Sequence, residues 1–346
     1  MLNDVLKSII WSGSLWQQCK EDNRTLISMV SDDVYHKVPQ HWHSFTAPHP
    51  LWQPILGTLY IIIGLMSVTG NTLVLWIFGT TRNLQSGTNM LTMNLAASDL
   101  GMMVTQFPVL VANCYNQKWT LGPTACEIYG FCGALFGTVS IITLSLIAID
   151  RYYAITDPFV GWRLSQGKAW LWILGTWFYG TIWCVPPILG WNQYVLEGFL
   201  TSCSFDYLSD DPWTRGYVYF LMVGAYILPL TIIIACYGFI YASVHQHNHR
   251  MKSKEDSKES RVSKSIQRRE RQLARVVILS VIFWTIAWTP YAVVSMMGVF
   301  SWTVYLTPLC TMLPALFAKL STVYNPFIYA VSHPRYRKGI SNKIVW

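Results

Sequence analysis

Seven apolar stretches, each long enough to cross a hydrocarbon core, constrain this 346-residue chain more than anything else in it. They run approximately over 51–79, 88–115, 124–156, 168–190, 213–243, 272–300 and 307–332. Crossing roughly 30 Å of lipid takes about 20 helical residues. Backbone groups in lipid must pair within their own segment, and none of these runs alternates like a barrel strand, so all seven are expected to be helices. Charged residues make up only 12% of the chain, against about 25% in an ordinary soluble domain. The expected fold is an all-α membrane protein: a seven-transmembrane helix bundle over 51–332, preceded by an extracellular N-terminal segment, 1–50. Pro229, Pro290 and Pro326 fall inside runs and should kink them.

Lysine and arginine in the connections set the orientation, because they collect on the cytoplasmic side. One set of connections holds Arg82, then Arg151, Arg163 and Lys168, then ten residues from Arg250 to Arg275, then Arg335, Arg337, Lys338 and Lys343. The opposite set holds six, and Lys319 lies within the last span. The N-terminus is therefore expected outside and the C-terminus inside. The net charge of +8 records this asymmetry and is not read as nucleic-acid binding.

The first 50 residues lack the basic start, apolar core and cleavage site of a signal peptide, so the first helix is expected to direct targeting. Asn23 opens an N-glycosylation sequon, Asn-Arg-Thr, on the side where it could be used. Cys114, Cys132, Cys184, Cys236 and Cys310 sit in or at the ends of apolar runs and read as packing residues. Cys126 and Cys203 take outward-facing positions where an oxidising exterior permits a bridge; Cys19 has no assigned role.

Ionisable groups inside a membrane cost about 2.5–3.5 kcal/mol each on insertion scales, so each is a functional candidate. Asp99 is one, with Asn71 and Asn325 at comparable depth; interhelical hydrogen bonds, waters or a sodium ion at Asp99 would explain this polar network, as would structural glue. Asp150 and Arg151 are neighbours on a helix and should not share a face, so Arg151 is expected to seek another carboxylate, Glu270 being the candidate. Lys319 lies near mid-depth, too deep to snorkel. Burial favours its neutral, nucleophilic form, suited to Schiff-base formation with a carbonyl compound. A lysine paired with a carboxylate is the equal alternative on depth alone.

Five motifs, one per expected helix, then resolve the choice. Gly70-Asn71, Leu-Ala-Ala-Ser-Asp ending at Asp99, Asp150-Arg151-Tyr152, Trp288-Thr-Pro-Tyr291 and Asn325-Pro326-Phe-Ile-Tyr329 together resemble the rhodopsin-like G-protein-coupled receptors, over nearly all of 50–345. A lysine six residues before the Asn-Pro of the seventh helix marks the opsins of that family, and Lys319 stands six before Asn325. The resemblance implies 11-cis retinal bound covalently at Lys319 as a protonated Schiff base. In vertebrate visual pigments a glutamate follows the third-helix cysteine by three residues; here that place is Tyr129. Glu197, six before Cys203, is the implied counter-ion, with Ser202 relaying a hydrogen bond, Tyr129 close to the imine, and a Cys126–Cys203 bridge folding the loop as a lid. Retinal is expected against Trp288, Tyr291, Ala134, Gly137 and Tyr226. A neutral residue at Gln106, where ultraviolet pigments often carry lysine, favours visible absorption.

After the last span, Ser-His-Pro-Arg-Tyr-Arg resembles a motif of arthropod and mollusc visual opsins, which implies an arthropod visual opsin of the Gq-coupled, bistable type. The family's partners, a Gq-class G protein and arrestin, and its place, the rhabdomeric cell membrane of a photoreceptor, follow as implications. On this reading light moves Trp288 beside Pro290, Arg151 leaves Glu270, and Tyr329 moves in. Residues 333–346 are expected to form a short amphipathic helix on membrane lipid, with the tail truncated at Trp346. A light-driven pump would need carboxylates along a proton path, and no enzyme is expected. A retinal photoisomerase on the same scaffold is the alternative, and a receptor for a diffusible ligand requires Lys319 unmodified.

Overall fold

The computed structural model describes residues 24–156, 162–251, 258–332 and 334–344. Its helices are α1 (Trp52–Thr80), α2 (Gly87–Asn116), α3 (Gly122–Thr156), α4 (Gln166–Cys184), α5 (Pro212–Leu221, continued through the π-helical turn Met222–Ile227 into Leu228–Met251), α6 (Lys258–Val299), α7 (Pro308–Ser332) and α8 (Pro334–Ile344). Among the described residues, α1, α2, α3, α5 and α6 are long and apolar enough to cross a membrane by themselves. Of the other two crossings, α4 is short and rich in tryptophan, and α7 holds Lys319, Asn325 and two internal prolines.

Local chemistry sets the helix ends. The hydroxyls of Ser86 and Ser165 accept the backbone N–H of Asn89 and Lys168, and the Asp211 carboxylate accepts that of Thr214 with Pro212 at the first helical position. Gln117 closes α2 in the left-handed region at φ 56°. The fourth apolar run reaches Gly190, yet α4 stops at Cys184, because Pro186 and Pro187 follow and cannot continue the ladder. Of the expected kinks, Pro290 and Pro326 lie within helices, as do Pro108 and Pro314. Pro229 follows the π turn, where the carbonyl of Gly224 accepts the hydroxyl of Tyr179 on α4 at 3.0 Å.

Helix α3 runs through the middle, touching α2, α4, α5 and α6. Over one end of the bundle lies a two-stranded antiparallel hairpin, β1 (Tyr194–Glu197) and β2 (Ser202–Phe205), with Leu196 opposite Cys203 and Glu197 opposite Ser202. All of β1 is buried. The Cys126–Cys203 disulfide, Cα atoms 5.4 Å apart, ties the hairpin to the start of α3. Gly198 makes the turn at φ +60°, against Met312 of α7.

Residues 24–51, before α1, are also folded, which composition did not reveal. Three 3₁₀ turns, Leu26–Met29, Asp32–Lys37 and Gln40–Ser44, bury Leu26, Val34 and Trp42 in one cluster with Phe199, Leu200 and Met312. Lys37 pairs with Glu127 at 2.7 Å, and His41 bonds the carbonyl of Leu306 at 2.7 Å. Asn23 lies outside the described residues. At the opposite end α8 packs beside α1: Tyr336 stacks on Phe78 at 5.5 Å, and Lys343 Nζ stands 5.0 Å from the Trp76 ring.

Candidate functional site

Beneath the hairpin, α2, α3, α6 and α7 line a cavity into which Lys319 and Glu197 both project, together with Gln106, Gly133, Ala134, Ser204, Trp288 and Tyr291. Lys319 is carried there by the middle of α7. Its Nζ stands 6.0 Å from the Tyr129 ring centre. Among the described residues the ion pairs lie elsewhere, at Lys37–Glu127, Asp150–Arg151 and Asp210–Arg215, so lysine and glutamate share a cavity without touching.

Glu197 reaches this depth because it ends β1. One carboxylate oxygen, Oε2, accepts the hydroxyls of Tyr291 at 3.2 Å and Tyr207 at 3.4 Å, while Tyr291 also bonds Ser204. Burial pushes the Glu197 carboxyl above the usual range; the charge of Lys319 and the hydroxyls of Tyr291, Tyr207 and Ser202 pull it back. Ser202 stands across the ladder from Glu197 as expected, but its hydroxyl points to Met312 Sδ at 3.8 Å, and no hydrogen bond links it to Lys319. The Tyr129 hydroxyl is buried without a partner.

A second, almost wholly apolar cavity adjoins the first, sharing Ala134, Phe205, Trp288 and Tyr291. All five expected wall residues, Ala134, Gly137, Tyr226, Trp288 and Tyr291, line it. Gly137 is required for close approach: a Cβ there would lie 2.7 Å from the Trp288 ring. The ring is held by its N–H to Ser321 on α7 at 3.0 Å, and Tyr226 bonds Thr289 at 2.6 Å, so α5, α6 and α7 are linked around the space. Sequence reasoning missed Ser204, Phe205, Tyr207 and Ser321. The first three lie in or just after β2, where no helical offset from a motif points to them.

The polar network divides in two. Asp99 accepts Asn325 at 2.8 Å and Ser140 at 2.9 Å, joining α2, α3 and α7. Asn71 instead donates to the Ser67 and Thr322 carbonyls, both at 2.9 Å, joining α1 to α7. Among the described residues no group of three His, Cys, Asp or Glu side chains gathers as a metal would need.

At the far end, Asp150 and Arg151 do share a partner, contrary to the helical-face expectation. Arg151 bends back onto Asp150 Oδ2 at 2.5 Å, and Thr88 of α2 bonds both. The arginine side chain is long enough to cross the angle between adjacent residues, and the shared hydroxyl holds it there. The side chain of Glu270 lies outside the described residues. Tyr152 packs near Phe239 of α5, Tyr329 near Phe78 and Tyr336, and Pro326 lies against Gly70.

Residues 70–329 match the family model described as 7 transmembrane receptor (rhodopsin family). A rhodopsin of Cataglyphis bombycina is 41% identical over 92% of this chain and 85% of its own. A rhodopsin of Procambarus clarkii is 39% identical over 93% and 86%, and the lateral eye opsin of Limulus polyphemus 38% over 92% and 86%. The crystal structure of squid rhodopsin superposes with a TM-score of 0.87 at 35% identity, covering 90% of each chain. The chain thus belongs to the rhodopsin family of seven-transmembrane receptors, proteins that are receptors rather than enzymes, with arthropod rhodopsins and opsins as its relatives.

Proposed function

We propose that this chain is a light-sensing receptor that carries 11-cis retinal covalently on Lys319 and, after photoisomerisation, activates a Gq-type G protein, with a bistable photoproduct that arrestin also recognises. The observation that carries the reading is the buried Lys319 amine, without an ion-pair partner among the described residues, opening onto a cavity that continues into an apolar one. The residues fit such a group. An amine stands at one end, and small residues Ala134 and Gly137 and the rings of Tyr226, Trp288 and Tyr291 make the apolar wall, with few polar groups, as small-molecule sites have. Bound retinal supplies the light absorption and the change of shape.

The protein's own groups do the rest. Lys319 anchors, and Glu197 provides the negative charge for the linkage from across the cavity, held by Tyr207 and Tyr291. Tyr129 and Ser202 complete the linkage's surroundings, and the Cys126–Cys203 bridge keeps the hairpin lid in place. Trp288 fills the space beside Gly137 in a core that cannot deform smoothly, so displacement of its ring is passed to α6 at Pro290 and, through Ser321, to α7. Asp99, Asn325, Pro326 and Tyr329 are the path toward the Asp150–Arg151–Tyr152 end, where release of Arg151 opens a cleft for a G-protein helix. Glu270 is proposed as a further partner of Arg151. The N-terminal segment, 1–50, with its Asn23 sequon, faces outside the cell, 51–332 spans the rhabdomeric membrane, and 333–346 lies on cytoplasmic lipid. The test is absorption spectroscopy after adding 11-cis retinal, with and without Lys319→Ala. Visible absorption in the unmodified chain and its loss in the variant are expected, and a visible band that persists in Lys319→Ala would refute attachment there.

A further inference from the structure

Trp162 lies in the connection between α3 and α4, and its indole N–H donates to Oδ1 of Asp150 at 3.0 Å. Its ring lies beside that of Tyr153, centroids 4.8 Å apart, and Lys168 Nζ, in the first turn of α4, stands 5.5 Å from its centre. The other carboxylate oxygen, Oδ2, accepts Thr88 at 2.7 Å and Arg151 at 2.5 Å. The Asp150 side chain is 1% exposed. Donors from α2, from α3 and from the connection after it therefore converge on one buried carboxylate. Thr88 and Arg151 share one oxygen, and the indole holds the other.

We propose that Trp162 is a positioning residue for the receptor's resting state: by fixing Oδ1 it aims Oδ2 at Arg151 and keeps the Asp150–Arg151–Thr88 cluster closed. This rests on the reading above that release of Arg151 opens the bundle to a G protein. An indole is a donor only, and its bond to a carboxylate is stronger than one between neutral groups. Without it a buried oxygen is unpaired, the carboxylate can rotate or draw in water, and the grip on Arg151 loosens. A contact biases a two-state element only if it differs between the states. This one does, because aiming the carboxylate matters only while Arg151 is bound to it. The ring contacts with Tyr153 and Lys168 are a separate, structural role that phenylalanine retains.

The test uses the full chain in lipid nanodiscs with 11-cis retinal and a purified Gq heterotrimer. Trp162→Phe is expected to raise dark nucleotide exchange on the order of tenfold, the worth of one hydrogen bond to a charged group, while the light-driven maximum is kept. Asp150→Asn raises dark exchange by itself, and adding Trp162→Phe to it gives no further rise, because both act through the same carboxylate. Unchanged dark exchange in Trp162→Phe, or full additivity in the double variant, overturns the proposal. A second measurement needs no G protein. With ¹⁵N-labelled tryptophan, the indole resonance lost in Trp162→Phe identifies this N–H, and Asp150→Asn should move it upfield; a resonance that stays in place overturns the contact. Absence of light-driven exchange in the unmodified receptor would defeat the functional reading instead, and the indole measurement would still decide the bond.

Discussion

Replacing Glu197 with glutamine isolates the charge that the hairpin delivers to the cavity. The amide has nearly the same shape and can still accept Tyr207 and Tyr291, so the hydroxyl cradle survives and only the negative charge is lost. Glu197 and Lys319 make no ion pair within 4.0 Å. Two unit charges at that distance interact by about 4 kcal/mol at an effective dielectric of about 20, which is therefore a ceiling. At about 1.36 kcal/mol per pH unit, the ceiling corresponds to roughly three units. The charge on the linkage nitrogen is favoured by the carboxylate, so removing the carboxylate lets the proton leave at lower pH. Alkaline titration of the retinal-bound receptor, followed by the conversion of visible to ultraviolet absorption, should give a midpoint lower by about one to three units in Glu197→Gln. A midpoint within about 0.3 unit of the unmodified receptor would refute the counter-ion assignment, since even a screened charge at twice the distance exceeds that shift. A fall well beyond three units would mean that the variant had rearranged the cavity.

Cys203→Ser should cost up to about 4.5 kcal/mol, the chain-entropy value for a bridge closing a loop of this length, and shorten the thermal half-life of visible absorption; an unchanged half-life would show that the hairpin is held by packing alone. Gly137→Ala places a Cβ 2.7 Å from the Trp288 ring, so the ring must shift. The expected outcome is a displaced absorption maximum or a lower pigment yield, and a variant indistinguishable in both would show that Gly137 does not confine the ring.

The number and kind of the helices were legible in composition because lipid leaves a backbone few alternatives, and a mid-span lysine is conspicuous wherever charge is costly. Ala134, Gly137, Tyr226, Trp288 and Tyr291 were matched by their place in the family pattern, and they line one cavity. Tyr207 and Ser204 were not matched, because they are brought to Glu197 and Tyr291 by the fold of the hairpin and the chain after it, which no helical offset predicts. Arg151 also meets Asp150, which the helical-face argument did not anticipate: helical geometry fixes where a Cβ points, and a long side chain can still turn back to its neighbour beside a hydroxyl supplied by another helix, here Thr88.

By itself, then, the order of residues determined a membrane-spanning helical bundle with a lysine at mid-depth of the last span, because burial energies and hydrogen-bond satisfaction act locally along each span. What only the tertiary structure decided was which groups meet across spans: that Glu197 descends from a hairpin to share a cavity with Lys319, that the N-terminal turns pack over that hairpin, and that Trp162 returns to Asp150. Such meetings depend on register, on the disulfide and on close approach of helices, which are properties of the packed whole rather than of any single segment.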